Sequence, residues 1–148
     1  MSTAEEEEEF TIPARVPLRL RMAEHVGRRG PLDGGWWPQS RNLEVELADL
    51  VDHFPSTSGR IVRATSSPPD WDDAPKRVPV RTGYIQVGFA AGDDTHVMLL
   101  RTSDRRELVI LVIPSHLTAE QGEIALAGAA TANASEGAAD LLARATAT

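Results

Sequence analysis

The sequence predicts an α+β domain, and three observations carry that prediction. Several short stretches alternate apolar and polar residues with a period of two. One stretch repeats apolar residues at helical spacing. The strand patterns also cluster between two helical ones instead of alternating with them one by one. A single domain with a mostly antiparallel, twisted sheet of about five or six strands satisfies all three. One or two helices are expected to pack on one of its faces.

The first alternation begins at Val16. Val16, Leu18, Leu20 and Met22 point one way, Arg19 and Arg21 the other, as in a half-buried strand. Pro17 cannot donate to a sheet ladder, which places it at the start or edge of that strand. Glycines and charges over residues 27–35 then read as a loop. Leu43, Leu47, Leu50, Val51 and Phe54 form one apolar stripe of a helix. Ser40 or Asn42 stands where a cap is needed, Glu44 and Glu46 suit the positive end, and Pro55 stops the helix.

Residues 60–66 read as a strand, and the prolines and aspartates of "SSPPDWDDAP" forbid regular structure after it. Val78 and Val80 flank Pro79 in a short edge strand. Ile85, Val87 and Phe89 mark one face of the next strand. Residues 95–102 and 107–113 form a hairpin around Ser103-Asp104-Arg105-Arg106. Its second arm, "ELVILVI", is apolar on both faces and belongs in the sheet interior, covered on both sides. Thr118-Ala119-Glu120-Gln121 is a capping box that opens a second helix, which Gly128 weakens. Leu43, Leu47, Leu50 and Phe54 are expected to pack onto Leu18, Leu20, Ile110 and Val112.

The expected organisation is an acidic, disordered head at 1–12, one domain at 13–132, and an alanine-rich, flexible tail at 133–148. The net charge of −7 is unevenly spread. Five of the 22 acids form the run at residues 5–9, so 17 acids face 15 bases over the rest. That near-neutral balance disfavours a constitutive nucleic-acid binder. All the bases but Lys76 are arginine, which with the alanine-rich tail fits a GC-rich genome and is discounted as a sign of phosphate binding. Without cysteine there is no disulfide, thiol chemistry or cysteine-ligated metal. No basic-then-apolar leader opens the chain, and its longest apolar run, 108–113, is too short to span a membrane. The expected compartment is the cytoplasm.

No nucleophile elbow, phosphate-binding glycine loop, dinucleotide fingerprint or H-E-x-x-H is present. His25, His53, His96 and His116 are widely separated, none with a ligating partner three to five residues away, so no metal site is assigned. No cofactor and no catalytic residue is assigned either. Asp70, Asp72 and Asp73 flank Trp71 and Asp33 precedes the tryptophan pair, so two such acids would resemble an acid–base pair if the loops met, although turn-making is the commoner use of such aspartates. Arg19, Arg21, Arg28 and Arg29 form a local positive cluster, read first as a solvated face.

The densest feature is "DGGWWPQSR" at residues 33–41. Adjacent tryptophans in an extended segment point to opposite sides, so one is expected to anchor the core and the other to meet solvent or a partner. Gly34 and Gly35 let the backbone bend, Pro38 stiffens the way into the helix, and Arg41 is placed to stack on an indole or pair with Asp33.

Asp33, Gly34, Trp36, Trp37, Pro38, Ser40, Arg41 and Leu43 resemble the D-G-x-W-W-P-x-S-R-x-L signature of a small actinobacterial family of unknown function. Trp71-Asp72 with Ala74-Pro75-Lys76-Arg77 resembles that family's second mark, W-D-x-A-P-[KR]-R. The resemblance spans roughly residues 16–130. Gly35 stands where alanine is the more frequent residue, a trivial change for a tight turn. The resemblance implies kinship and a shared domain for the two tryptophan segments, with no activity or cofactor attached.

The leading functional expectation is a non-catalytic binding module for a protein or small ligand. Its candidate residues are Asp33, Trp36, Trp37, Arg41, Trp71 and Asp72. The alternative is a small enzyme using Asp33, Asp72 or a convergent histidine, and the third is weak nucleic-acid binding through the arginine cluster. No membrane partner is expected.

Overall fold

The computed structural model describes residues 16–23, 32–55, 59–90, 95–131 and 137–147. The expected acidic head, His25, Arg28 and Arg29 lie outside the described residues. Among the described residues seven strands form one sheet: β1 (Leu20–Met22), β2 (Gly34–Trp36), β3 (Ile61–Ser66), β4 (Arg77–Val80), β5 (Gly83–Phe89), β6 (Val97–Thr102) and β7 (Glu107–Val112). Their order is β1-β2-β7-β6-β3-β5-β4, with β1 and β4 at the edges. Among the described residues three α-helices accompany them: α1 (Leu43–Asp52), α2 (Ala119–Ala129) and α3 (Ala138–Thr146).

This is a single α+β domain, but the sheet is mixed and larger than the five or six strands expected. The pairs β2/β7 and β3/β5 are parallel, and the other four pairs are antiparallel. The added strand is β2. Gly34 and Gly35 were expected to end a loop, yet with Trp36 they pair with β1 on one side and β7 on the other. A three-residue strand with two glycines has no alternation to reveal it.

The hairpin forms as its turn chemistry requires: Thr102 N–H donates to the Arg106 carbonyl at 3.0 Å, and Arg105 takes a positive φ of 71°. Val78 and Val80 lie in edge strand β4, with Pro79 between them.

Helices cover both faces, where only one was expected. On one side α1 buries Leu43, Leu47 and Leu50 against Trp36, Ile110 and Val112, with Leu18, Leu20 and Phe54 packed at the margin. Each fully buried leucine contributes about 1.5–3 kcal/mol relative to exposure. On the other side α2 and α3 enclose Trp37, Leu111 and Ile113. Strand β7 thus feeds both layers, as "ELVILVI" requires. Residues 138–146, within the expected flexible tail, form α3, with Leu141 and Ala145 buried.

Small residues let this second layer close. A β-carbon on Gly122 of α2 would lie 2.2 Å from Trp37 Cη2, and one on Gly35 would lie 2.8 Å from the Ala129 β-carbon. Gly35 is extended strand and makes no tight bend; its value is the close approach of α2 to the sheet. Alanine there is consequently not a trivial change in this chain.

The start of α1 is tied down from three directions. Asn42 caps it, its side chain accepting from Val45 N–H at 3.2 Å. Asp73 accepts from the Leu43 and Glu44 N–H groups at 2.6 and 3.1 Å. Glu46, only 1% exposed, accepts from Gln39 N–H and from the Ser40 hydroxyl. Together these fix where residues 38–42 leave the sheet.

Candidate functional site

Strands β2, β7 and β3 run in one direction and β6 runs against them, so three carboxyl ends and the start of β6 share one rim of the sheet. The two parallel neighbours part there. The chain leaving β2 turns to α1 on one face, and the chain leaving β7 turns to α2 on the other. In open sheets such a divergence leaves a crevice outside the carboxyl ends. A cleft of about 170 Å³ occupies this position, lined by Pro38, Ser40, Arg41, Asp70, Trp71 and His96, and by residues 112–116.

Each wall is positioned by local structure. Two prolines start the short 3₁₀ turn Pro68–Asp70, which delivers Asp70 and then Trp71. Trp71 packs on Trp36, with ring centroids 5.7 Å apart and planes tilted by 33°. His96 sits at the start of β6 with φ +66°, a left-handed conformation that non-glycine residues adopt mainly when their surroundings hold them there. The hold is visible on both sides. His96 N–H donates to Asp70 Oδ2 at 2.8 Å, and its carbonyl accepts from Val112 N–H at 2.7 Å. His96 Nδ1 lies 3.2 Å from Asp70 Oδ1, within ion-pair distance but off the line of a hydrogen bond. His116 stands exposed just before the capping box of α2.

Asp70 is the unusual group. Its side chain is only 3% exposed. Burial pushes its carboxyl above the ordinary aspartate value, against the opposing pull of His96 and Arg41. The folded protein therefore binds this proton more tightly than the unfolded chain. The associated stability is present below the ordinary aspartate range and lost as pH rises through the higher folded value. Asp70→Asn, which keeps an acceptor for the His96 N–H, is expected to be at least as stable as the wild type near pH 7. That advantage should shrink on acidification. Urea denaturation of both proteins from pH 7 down to pH 4 checks this, and a pH-independent difference would contradict it.

The residues singled out in the sequence divide into two groups. Arg41 and Trp71 line the cleft. Asp72 lies outside the lining and holds the joint: it accepts from Arg41 Nε at 2.8 Å, while Arg41 Nη2 donates to the Pro69 carbonyl at 3.0 Å. Asp33 is occupied elsewhere. Its N–H donates to the Val109 carbonyl and its carboxylate accepts from Val109 N–H, extending the β2/β7 ladder. The two tryptophan segments do meet, but Asp33 and Asp72 have separate partners.

Trp36 and Trp37 point to opposite faces, and both are buried, at 1% and 5% exposure. The Trp37 indole N–H donates to the Pro114 carbonyl at 3.1 Å. The cation over its ring is Arg19, at 3.8 Å, and not Arg41. Arg19 also donates to the Trp37 and Pro38 carbonyls, and Arg21 pairs with Glu123 of α2. Half of the presumed arginine cluster is thus packed against the domain itself.

Sequence reasoning weighs Asp70, His96 and His116 without selecting them as site residues, because 26 positions separate Asp70 from His96 and no spacing motif links them. Among the described residues no group of three side chains is placed to hold a metal ion, and no helix is long and apolar enough to cross a membrane.

A family profile matches residues 19–129, most of the chain. The chain belongs to DUF5994, a family of unknown function. Every residue lining the cleft falls inside the DUF5994 segment, and α3 falls outside it. No curated protein and no solved structure matches the chain.

Proposed function

We propose that this DUF5994 domain is a binding module that takes a small ligand in the cleft where β2 and β7 part. The observation that carries the proposal is the coincidence of that divergence with converging polar groups: Arg41, Asp70, His96 and His116 around one face of Trp71. The working surface is therefore the Arg41 end of the joint and the Trp71 loop, with the tryptophan pair behind it as scaffold. At about 170 Å³ the cleft is smaller than the roughly 300–1,000 Å³ of sites for drug-sized molecules, which favours an ion or a compact head group. A cytoplasmic address belongs to the same proposal, supported by the absence of cysteine.

Nuclear magnetic resonance of the full-length protein with a mixture of small polar fragments tests it. The expected shifts cluster at Arg41, Trp71, His96 and His116. Shifts that scatter over the surface, or none at all, would remove the proposal.

A second reading rests on one specific contact. Asp70 and His96 Nδ1 are the pair of groups that general-base sites use to orient an imidazole, with Nε2 left for a substrate, provided the hydrogen bond between them closes when substrate binds. Under that reading His96→Gln retains ligand binding and abolishes turnover, whereas a pure binding module shows no turnover to lose.

A further inference from the structure

Resting on the ligand-binding reading, we propose that the cleft is selective for a small oxyanion, of sulfate, phosphate or carboxylate type, held by Arg41, His116 and His96. The walls are rich in donors. Arg41 brings a guanidinium from the joint, His96 an imidazole from the start of β6 and His116 another from the β7–α2 connection, with Ser115 also in the lining. Trp71 adds a buried indole N–H that has no acceptor among the described residues. Such an orphan donor is costly, and an acceptor that reached it would offset the cost.

The charge balance gives the same sign. The opposing charges are Asp70 in the wall and Asp72 on the far side of Arg41. One guanidinium and two imidazoles face these two carboxylates. Burial moves Asp70 toward its neutral form and lightens the negative side further. Arg41 is already oriented, because Asp72 and the Pro69 carbonyl hold its Nε and Nη2. A preset guanidinium loses less freedom on meeting an oxyanion than a wandering one. The cleft's size sets the upper limit, admitting a head group and excluding a large organic body.

The test is titration of the full-length protein with sodium sulfate at pH 6, with sodium chloride holding ionic strength constant, followed by nitrogen-15 resonances. Sulfate keeps its charge across the range used. The expected result is saturable movement of the Trp71 indole N–H and of the Arg41, His96 and His116 amides. Arg41→Gln should weaken the affinity about tenfold, the loss of one charge-assisted contact. His116→Gln should weaken it by a smaller factor. Both side chains are well exposed, so the fold should survive; if Arg41→Gln does not fold, His116→Gln carries the test.

An acetate arm separates carboxylate from tetrahedral oxyanion recognition. Chloride reproducing the sulfate shifts, or variants binding sulfate as the wild type does, would overturn the inference. If neutral fragments map to the cleft while sulfate and acetate do not, the oxyanion claim falls and the binding site stands. If neither maps there, both fall.

Discussion

Trp37→Ala is expected to destabilise the protein by about 3–5 kcal/mol, the usual cost of truncating a large buried aromatic. The ring is 5% exposed, lies against Gly122, carries Arg19 at 3.8 Å and gives its N–H to the Pro114 carbonyl. Truncation leaves a cavity between sheet and helix, an unanswered carbonyl and a guanidinium without its ring. For a domain of typical stability, about 5–15 kcal/mol, that is a large fraction of the total. Urea denaturation gives the number directly. A surface-exposed tryptophan serving as a binding platform would instead cost about 0.5 kcal/mol or less. A loss that small would mean that Trp37 is not the plug described here. The same logic disqualifies Trp37→Ala as a binding probe, because lost binding would only report lost structure. Arg41 and His116 are the proper probes.

Gly122→Ala supplies a second test, in which two effects have opposite signs. In an ordinary exposed helix interior the change from glycine to alanine gains up to about 1 kcal/mol of helix propensity. In α2 the new β-carbon would sit 2.2 Å from Trp37 Cη2, 2.3 Å from Cζ3 and 2.5 Å from Cζ2. The indole is pinned by its hydrogen bond and by Arg19, so the helix must move away from the sheet. Overpacking of this kind costs about 1–3 kcal/mol, and the steric term is expected to win. The melting temperature of Gly122→Ala should fall. A rise would show that α2 is free to shift and that its seat on Trp37 is loose.

What could be read from the sequence follows from how each element makes its contacts. Helix α1 and strands β5, β6 and β7 pack through Leu, Ile, Val, Phe and Met, so their periodicity is plain. The α2 layer packs through Gly122, Ala125 and Ala129, small residues that draw no apolar stripe although they lie deep in the second core. Helix α3 has the same disguise, an alanine-rich segment whose Leu141 meets Gly128. Strand β2 is invisible for a third reason, since Gly34-Gly35-Trp36 has neither length nor alternation and its place depends on β1 and β7.

The site was half legible. Arg41 and Trp71 stood out because unusual residues surround them. Asp70 and His96 are ordinary in sequence and become distinctive only when a left-handed turn at the start of β6 brings them together.

The two edges of the sheet bear on how this protein behaves in a crowded solution. An open edge is a template on which a second molecule can lay a strand. Here β1 is three residues long, and β4 carries Pro79 in the middle of its four. Neither offers the run of free N–H groups that intermolecular pairing needs. Among the described residues, then, the edges give a second molecule little on which to extend the seven-stranded sheet.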